Sequence, residues 1–155
     1  MIMKRRIKKP HVVIILLFVC LLAIGSIAVL LLKDRTPYRD VNTCEDITFY
    51  QSKPHIPIIL QNSEYTFVNS GNDSYVFNTW FRVEVRKFGV WRTIPCEPWA
   101  TMDVAMIIPP HGERSYVPNL EDMYGELPGG TYRILVRVRN ESTGQHYLVA
   151  AEFEI

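Results

Sequence analysis

Two cysteines and three histidines are the side chains here best suited to covalent or metal chemistry: Cys44, Cys96, His55, His111 and His146. A thiol becomes a nucleophile when a neighbouring histidine or other cation lowers its pKa, so a Cys–His pair could carry out acyl transfer. No local signature joins either cysteine to a histidine, and each histidine stands among turn-forming or loop-edge residues. Zinc would ask for histidines at i, i+2 or i, i+4 spacing or a C-x-x-C pair, and neither occurs. G-x-S-x-G, a glycine-rich phosphate loop and an EF-hand loop are also missing. The sequence therefore predicts no catalytic residue, no metal and no cofactor, and an envelope hydrolase is its least supported reading. In an oxidising compartment the two cysteines could instead pair with each other. A Cys44–Cys96 bridge would close about 50 residues and contribute about 4 kcal/mol through loop entropy. Two free thiols or an intermolecular bond are equally compatible with the sequence.

Non-covalent recognition has better material. Trp80, Trp91 and Trp99 gather with Phe88 and Tyr75 in one region of the chain. On an extended strand, Trp80, Arg82, Glu84, Arg86 and Phe88 share a parity opposite to Phe81, Val83 and Val85. Trp80, Arg82, Arg86 and Phe88 are thus the candidate contact strip for a partner, since aromatic and arginine side chains carry much of the energy at interfaces. Trp91, on the next strand, is expected in the core.

Strands must position these side chains. No window after residue 40 sustains a 3.6-residue apolar period, whereas period-two alternation recurs between turn signals. Tyr132, Ile134, Val136 and Val138 alternate with Arg133, Leu135, Arg137 and Arg139, so one face should be core and the other mostly solvated. Tyr147, Val149, Ala151, Phe153 and Ile155 repeat the pattern, and the polar loop from Asn140 to Gly144 makes the two strands a hairpin. Further strands are expected over 46–50, 65–68, 75–87, up to Ile94, 103–108 and 115–117, with an edge strand at Ile58 to Leu60. Phe88-Gly89 reads as a tight turn, and Pro109 to Gly112 as another. About seven short antiparallel strands at this spacing suggest a sandwich. Tyr132 follows the Pro128-Gly129-Gly130 turn at the start of a strong strand, where Ig-like sandwiches place a tyrosine that bonds back to upstream backbone across the sheet corner.

What precedes the sandwich is of a different kind. Lys4, Arg5, Arg6, Lys8 and Lys9 lead into 21 residues, Val12 to Leu32, without a charge. As a helix this run is about 30 Å long, the thickness of a bilayer's hydrocarbon core. The expected organisation is a cytoplasmic basic segment (1–11), a transmembrane helix (12–32), a stalk (33–44) and one extracytoplasmic domain (45–155), the basic front setting the orientation. A cleaved signal peptide would use Ser26-Ile27-Ala28 as its site, but that triplet lies inside the apolar run. Cys20 follows Val19 in mid-run and makes no lipidation site. Six of the 17 Lys and Arg lie in residues 1–33, leaving 11 against all 16 Asp and Glu, a net of −5 for the remainder. That balance argues against nucleic acid as a partner.

The pieces Tyr65 to Asn69, Phe88 to Trp91, Ile108 to Gly112, Tyr124 to Leu127, Pro128 to Ile134 and Ala151 to Ile155, in that order, give the chain a family likeness. It resembles the bacterial Ig-like domain found in surface lipoproteins and membrane-anchored proteins of Gram-positive bacteria. The run from Gly125 to Ile134 is the most specific part. The resemblance covers about residues 45–155 and implies an all-β Ig-like sandwich at the cell surface with no catalytic residues to transfer. The function expected is a membrane-anchored module that binds an envelope protein or polymer. A ligand-receiving sensory domain acting with a membrane partner is the alternative.

Overall fold

The structure, a computed structural model, describes residues 10–32, 34–53, 63–96 and 104–155. The chain divides into two compact units, residues 1–35 and 36–155. The first holds helix α1 (Pro10–Leu32). Its side chains are described without a break over 13–26, all of them exposed, a rise of about 20 Å. Among the described residues no helix is long and apolar enough to cross a membrane.

The second unit is built of β1 (Ile47–Lys53), β2 (Glu64–Asn69), β3 (Tyr75–Lys87), β4 (Val90–Thr93), β5 (Ala105–Ile108), β6 (Glu113–Tyr116), a short helix α2 (Leu120–Tyr124), β7 (Thr131–Asn140) and β8 (His146–Glu154). One sheet has the order β1-β2-β6; the other runs β4-β3-β7-β8, with β5 also paired to β3, and every pairing is antiparallel. Period-two alternation turns one face of each sheet inward. Phe49 and Phe67 from the smaller sheet stack at 4.2 Å, Phe67 meets Phe77 of the larger one at 4.3 Å, and Tyr132 stacks on Phe153 at 5.5 Å. Phe67, Phe77, Val83, Ile134, Val136, Val138 and Val149 are fully buried in this sandwich core.

Turn chemistry sets the connections. Phe88 and Gly89 both have positive φ (53° and 74°), as the two-residue turn joining β3 to β4 requires. Asn140 accepts from the N–H groups of Ser142 and Thr143 and so shapes the β7–β8 turn. α2 has an Asn119 N-cap that accepts from Asp122 N–H at 3.3 Å and ends at Gly125, φ 65°. With five residues it is too short to show a helical period, although its Asn, acidic pair and Gly are ordinary cap signals. The Tyr132 hydroxyl donates to the carbonyl of Pro128, the geometry of a tyrosine corner.

Residues 36–43 are not a free stalk. Thr36 N–H donates to Trp91 O on β4 at 3.1 Å, and Asn42 N–H donates to Leu148 O on β8 at 2.9 Å. The Asn42 amide also accepts from Ala150 N–H at 2.7 Å and donates to Ala150 O at 3.1 Å. Because β4 and β8 lie at opposite edges of that strand order, the segment between these bonds is a strap over β3 and β7. The inner face is filled by the other sheet, so the strap crosses the outer face. It accounts for Leu135 and Ala150, which point outward on β7 and β8 yet are buried, 0% and 7% exposed. The expectation of a mostly solvated outer face holds for Arg137 and Arg139 and fails for Arg133 and Leu135.

Two tyrosines bond the backbone of β3 between its pairings with β4 and β5. Tyr116 Oη donates to Thr79 O at 2.8 Å, and Val83 N–H donates to Tyr124 Oη at 3.0 Å. Burial pushes the Tyr124 phenol up to about 12. Cys44 and Cys96 are both free, one of the alternatives the sequence leaves open. Cys44 adjoins Tyr75 and Cys96 adjoins Tyr124, which is bonded to Val83. Tyr75 and Val83 lie opposite Asn140 and Ile134 of β7, six residues or about 20 Å apart along the strand, whereas a disulfide needs Cα atoms within about 7 Å. The edge strand expected at 58–60, His55 and Trp99 lie outside the described residues.

Tyr132→Phe deletes the donor to Pro128 and leaves that carbonyl without its partner. We expect a loss of about 1 to 3 kcal/mol of stability, read as a lower denaturant midpoint at unchanged slope. An unchanged midpoint would show that the corner bond contributes nothing.

Candidate interaction face

The outer face of the five-stranded sheet carries the residues that sequence parity singled out. From β3 it presents Arg82, Glu84 and Arg86; from β7, Arg133, Leu135, Arg137 and Arg139. From β4 it presents Trp91 and Thr93, opposite Arg86 and Glu84. Of the strip expected from sequence, Trp80 and Arg82 are half-buried, Arg86 is exposed, and Phe88 stands at the hairpin tip with 90% of its surface exposed. The Arg82 guanidinium lies 5.2 Å from the Trp80 ring centroid, and that of Arg86 lies 5.8 Å from Trp91. Such stacking holds an arginine's planar head in place while leaving its edge available to donors' partners. Arg82 Nε is buried without a hydrogen-bond partner among the described residues.

Two residues depart from expectation, for related reasons. Trp91 is half-buried on the outer face and not in the core. A two-residue turn sets Lys87 opposite Val90 and Arg86 opposite Trp91, so Trp91 must share the outward parity of Arg86. Glu84, although outward by parity, is 0% exposed. Arg133 reaches Glu84 Oε2 through Nε at 2.7 Å and Nη2 at 2.6 Å, and its guanidinium sits 4.6 Å from the Trp91 ring centroid. Trp91 is therefore the roof of a buried ion pair, a role invisible from its residue type alone.

Beyond this covered zone the same face opens into two adjoining grooves. One, of about 450 Å³, lies between the strap and the start of β8, with Tyr38, Arg39, Asp40, Arg137, His146 and Leu148 among its walls. The other, of about 330 Å³, is floored by Val76, Asn78, Arg137, Arg139 and His146. His111 sits elsewhere, its Nε2 2.9 Å from Asn72 Oδ1 in a contact between loops. Among the described residues no group of three or more His, Cys, Asp or Glu could hold a metal ion.

The buried pair gives a stability test. Arg133→Ala leaves the Glu84 carboxylate buried and uncompensated, which should cost about 3 to 5 kcal/mol. Replacing both, as Glu84→Leu with Arg133→Met, should cost less than the single change. Measured denaturant midpoints that instead add across the two sites would show that the charges do not interact.

No curated protein matches the chain. The family model of the bacterial Ig-like domain matches residues 46–154, nearly the whole of the second unit. Members of that family are typically non-catalytic. With two antiparallel sheets, a tyrosine corner and this match over most of its length, the chain belongs to the bacterial Ig-like domain family.

Proposed function

We propose that this chain is an interaction module of the bacterial cell envelope. In this reading the apolar run Val12 to Leu32 anchors it in the membrane with the N-terminus in the cytoplasm, and the Ig-like domain meets an envelope protein or polymer outside. The contact lies around the β3–β4 hairpin, with Arg86 and Phe88 outermost and the Trp80–Arg82 stack behind them.

The observation that carries the reading is Phe88. A phenylalanine at φ 53° is held in a left-handed conformation that costs about 1 to 2 kcal/mol, where Asn or Gly would sit at little cost. It is also 90% exposed, so no packing within the domain offsets that cost. A side chain unfavourable both to its own turn and to solvent has its rationale in a partner.

Phe88→Asn should therefore raise the denaturant stability by about 1 kcal/mol while weakening capture of the envelope partner. Arg86→Ala should weaken capture with the thermal midpoint unchanged. Retained capture in both variants would remove this face from the reading. The anchor has its own test: the 18.0 kDa chain should stay in the membrane fraction at high salt and at full length. Recovery of a shorter soluble species beginning near Val29 would make the protein a secreted one.

A further inference from the structure

The paired grooves lie at the other end of the outer face from Phe88 and were singled out by no sequence pattern. Arg137 and Arg139 are two residues apart on one face of β7, about 7 Å along a rigid strand. Both are exposed, and His146, opposite Arg139 on β8, stands beside them. Arg137 and His146 line both grooves. Neither Arg137 nor Arg139 forms an ion pair with a carboxylate among the described residues, unlike Lys53 with Glu64 and Arg133 with Glu84. In a domain whose acidic side chains outnumber its basic ones, arginines left unpaired side by side are unexpected. The groove walls hold Arg39, Arg137 and Arg139 against the single carboxylate of Asp40. Over the ~10 Å that salt allows a charge to act, this local excess outweighs the net charge of the domain.

We propose that the two grooves form one binding site for a phosphate ester, with the oxyanion on Arg137, Arg139 and His146. Two guanidinium forks and a ring nitrogen offer more donors than a carboxylate's two oxygens use. A phosphate monoester presents three terminal oxygens and up to two charges, a better match to that set. Tyr38 and Leu148 supply an apolar flank for the organic part, and a volume of about 450 Å³ suits a small ligand. The strap makes the wall: its three bonds through Asn42 fix the backbone that carries Tyr38 and Arg39. The site uses none of the residues assigned to the hairpin contact, so it stands or falls separately.

The test is a calorimetric titration of the full chain in detergent with inorganic phosphate, glycerol 1-phosphate and linear polyphosphate, with glutarate as the dicarboxylate comparison. Saturable binding of glycerol 1-phosphate is expected. Arg137→Ala with Arg139→Ala should weaken it by at least about tenfold, the Lys pair should fall between, and Arg86→Ala should leave it unchanged. Because both arginines are exposed, the thermal midpoint of the double variant should match the parent, which separates lost binding from lost folding. Tighter binding of glycerol 1-phosphate than of linear polyphosphate would identify a free monoester; the reverse order would overturn the proposal, because the polymer's internal phosphates offer two free oxygens and one charge each. No saturable phosphate binding, binding that survives the double Ala change, or tighter binding of glutarate or an acidic peptide would overturn the proposal.

Discussion

Glu84 is the residue on which the arrangement of the larger sheet turns. An ionised carboxylate taken fully out of water loses several kcal/mol of hydration, and only a close cation with good hydrogen bonds makes that tolerable. Arg133 supplies both, but it sits on the face directed away from the sandwich core, where water would ordinarily compete. The pair is dry because Trp91 lies over the guanidinium. Trp91 can reach that position only if β4 folds back through a two-residue turn, and its backbone carbonyl is also where the strap is fastened at Thr36. One ion pair thus ties together the turn, the short strand β4 and the path of the chain before β1.

The same economy governs the sheet edges, whose unpaired N–H and C=O groups invite association with other chains. β3 is a 13-residue strand whose one edge pairs with two four-residue strands, one near each end. Between them two phenol groups, from Tyr116 and Tyr124, bond its backbone as a neighbouring strand would. α2, though only five residues long, is what carries Tyr124 there. At the opposite edge Asn42 uses its side-chain amide as a second peptide group, pairing both ways with Ala150. Its own φ of 58° lies in a region asparagine tolerates better than most residues do.

Much of the sandwich was legible because period-two alternation reports burial directly: the inward set Tyr132, Ile134, Val136 and Val138 is buried throughout. The tyrosine corner could be read because a Pro-Gly-Gly turn and a strong strand fix Tyr132 from both sides. The outer face was less legible because alternation distinguishes two faces without saying what covers the second one. Leu135 between two arginines was the available hint, since an apolar residue on a solvated face asks for a cover. Trp91 was misplaced by residue type, although the register across the Phe88-Gly89 turn already implied its parity. The strap could not be read at all, because its segment TPYRDVNT has a linker's composition and its order comes from long-range bonds to β4 and β8. The cysteines illustrate the same limit: their separation is set by the length of β3, which loop-closure arguments do not contain.

The strap also divides arginines of one face into two kinds. Eleven Lys and Arg follow residue 33, and Arg82, Arg86, Arg133, Arg137 and Arg139 all point from the outer face of one sheet. Under the cover, Arg133 is neutralised by Glu84 and acts as structure. Outside it, Arg86, Arg137 and Arg139 lack ion-pair partners among the described residues and keep their charge available. A net charge summed over the domain conceals this, because a charge in salt acts over only about 10 Å. What the face offers a ligand is therefore decided by where eight residues of chain cross it, and a shift of that crossing along β7 would change which arginines are covered.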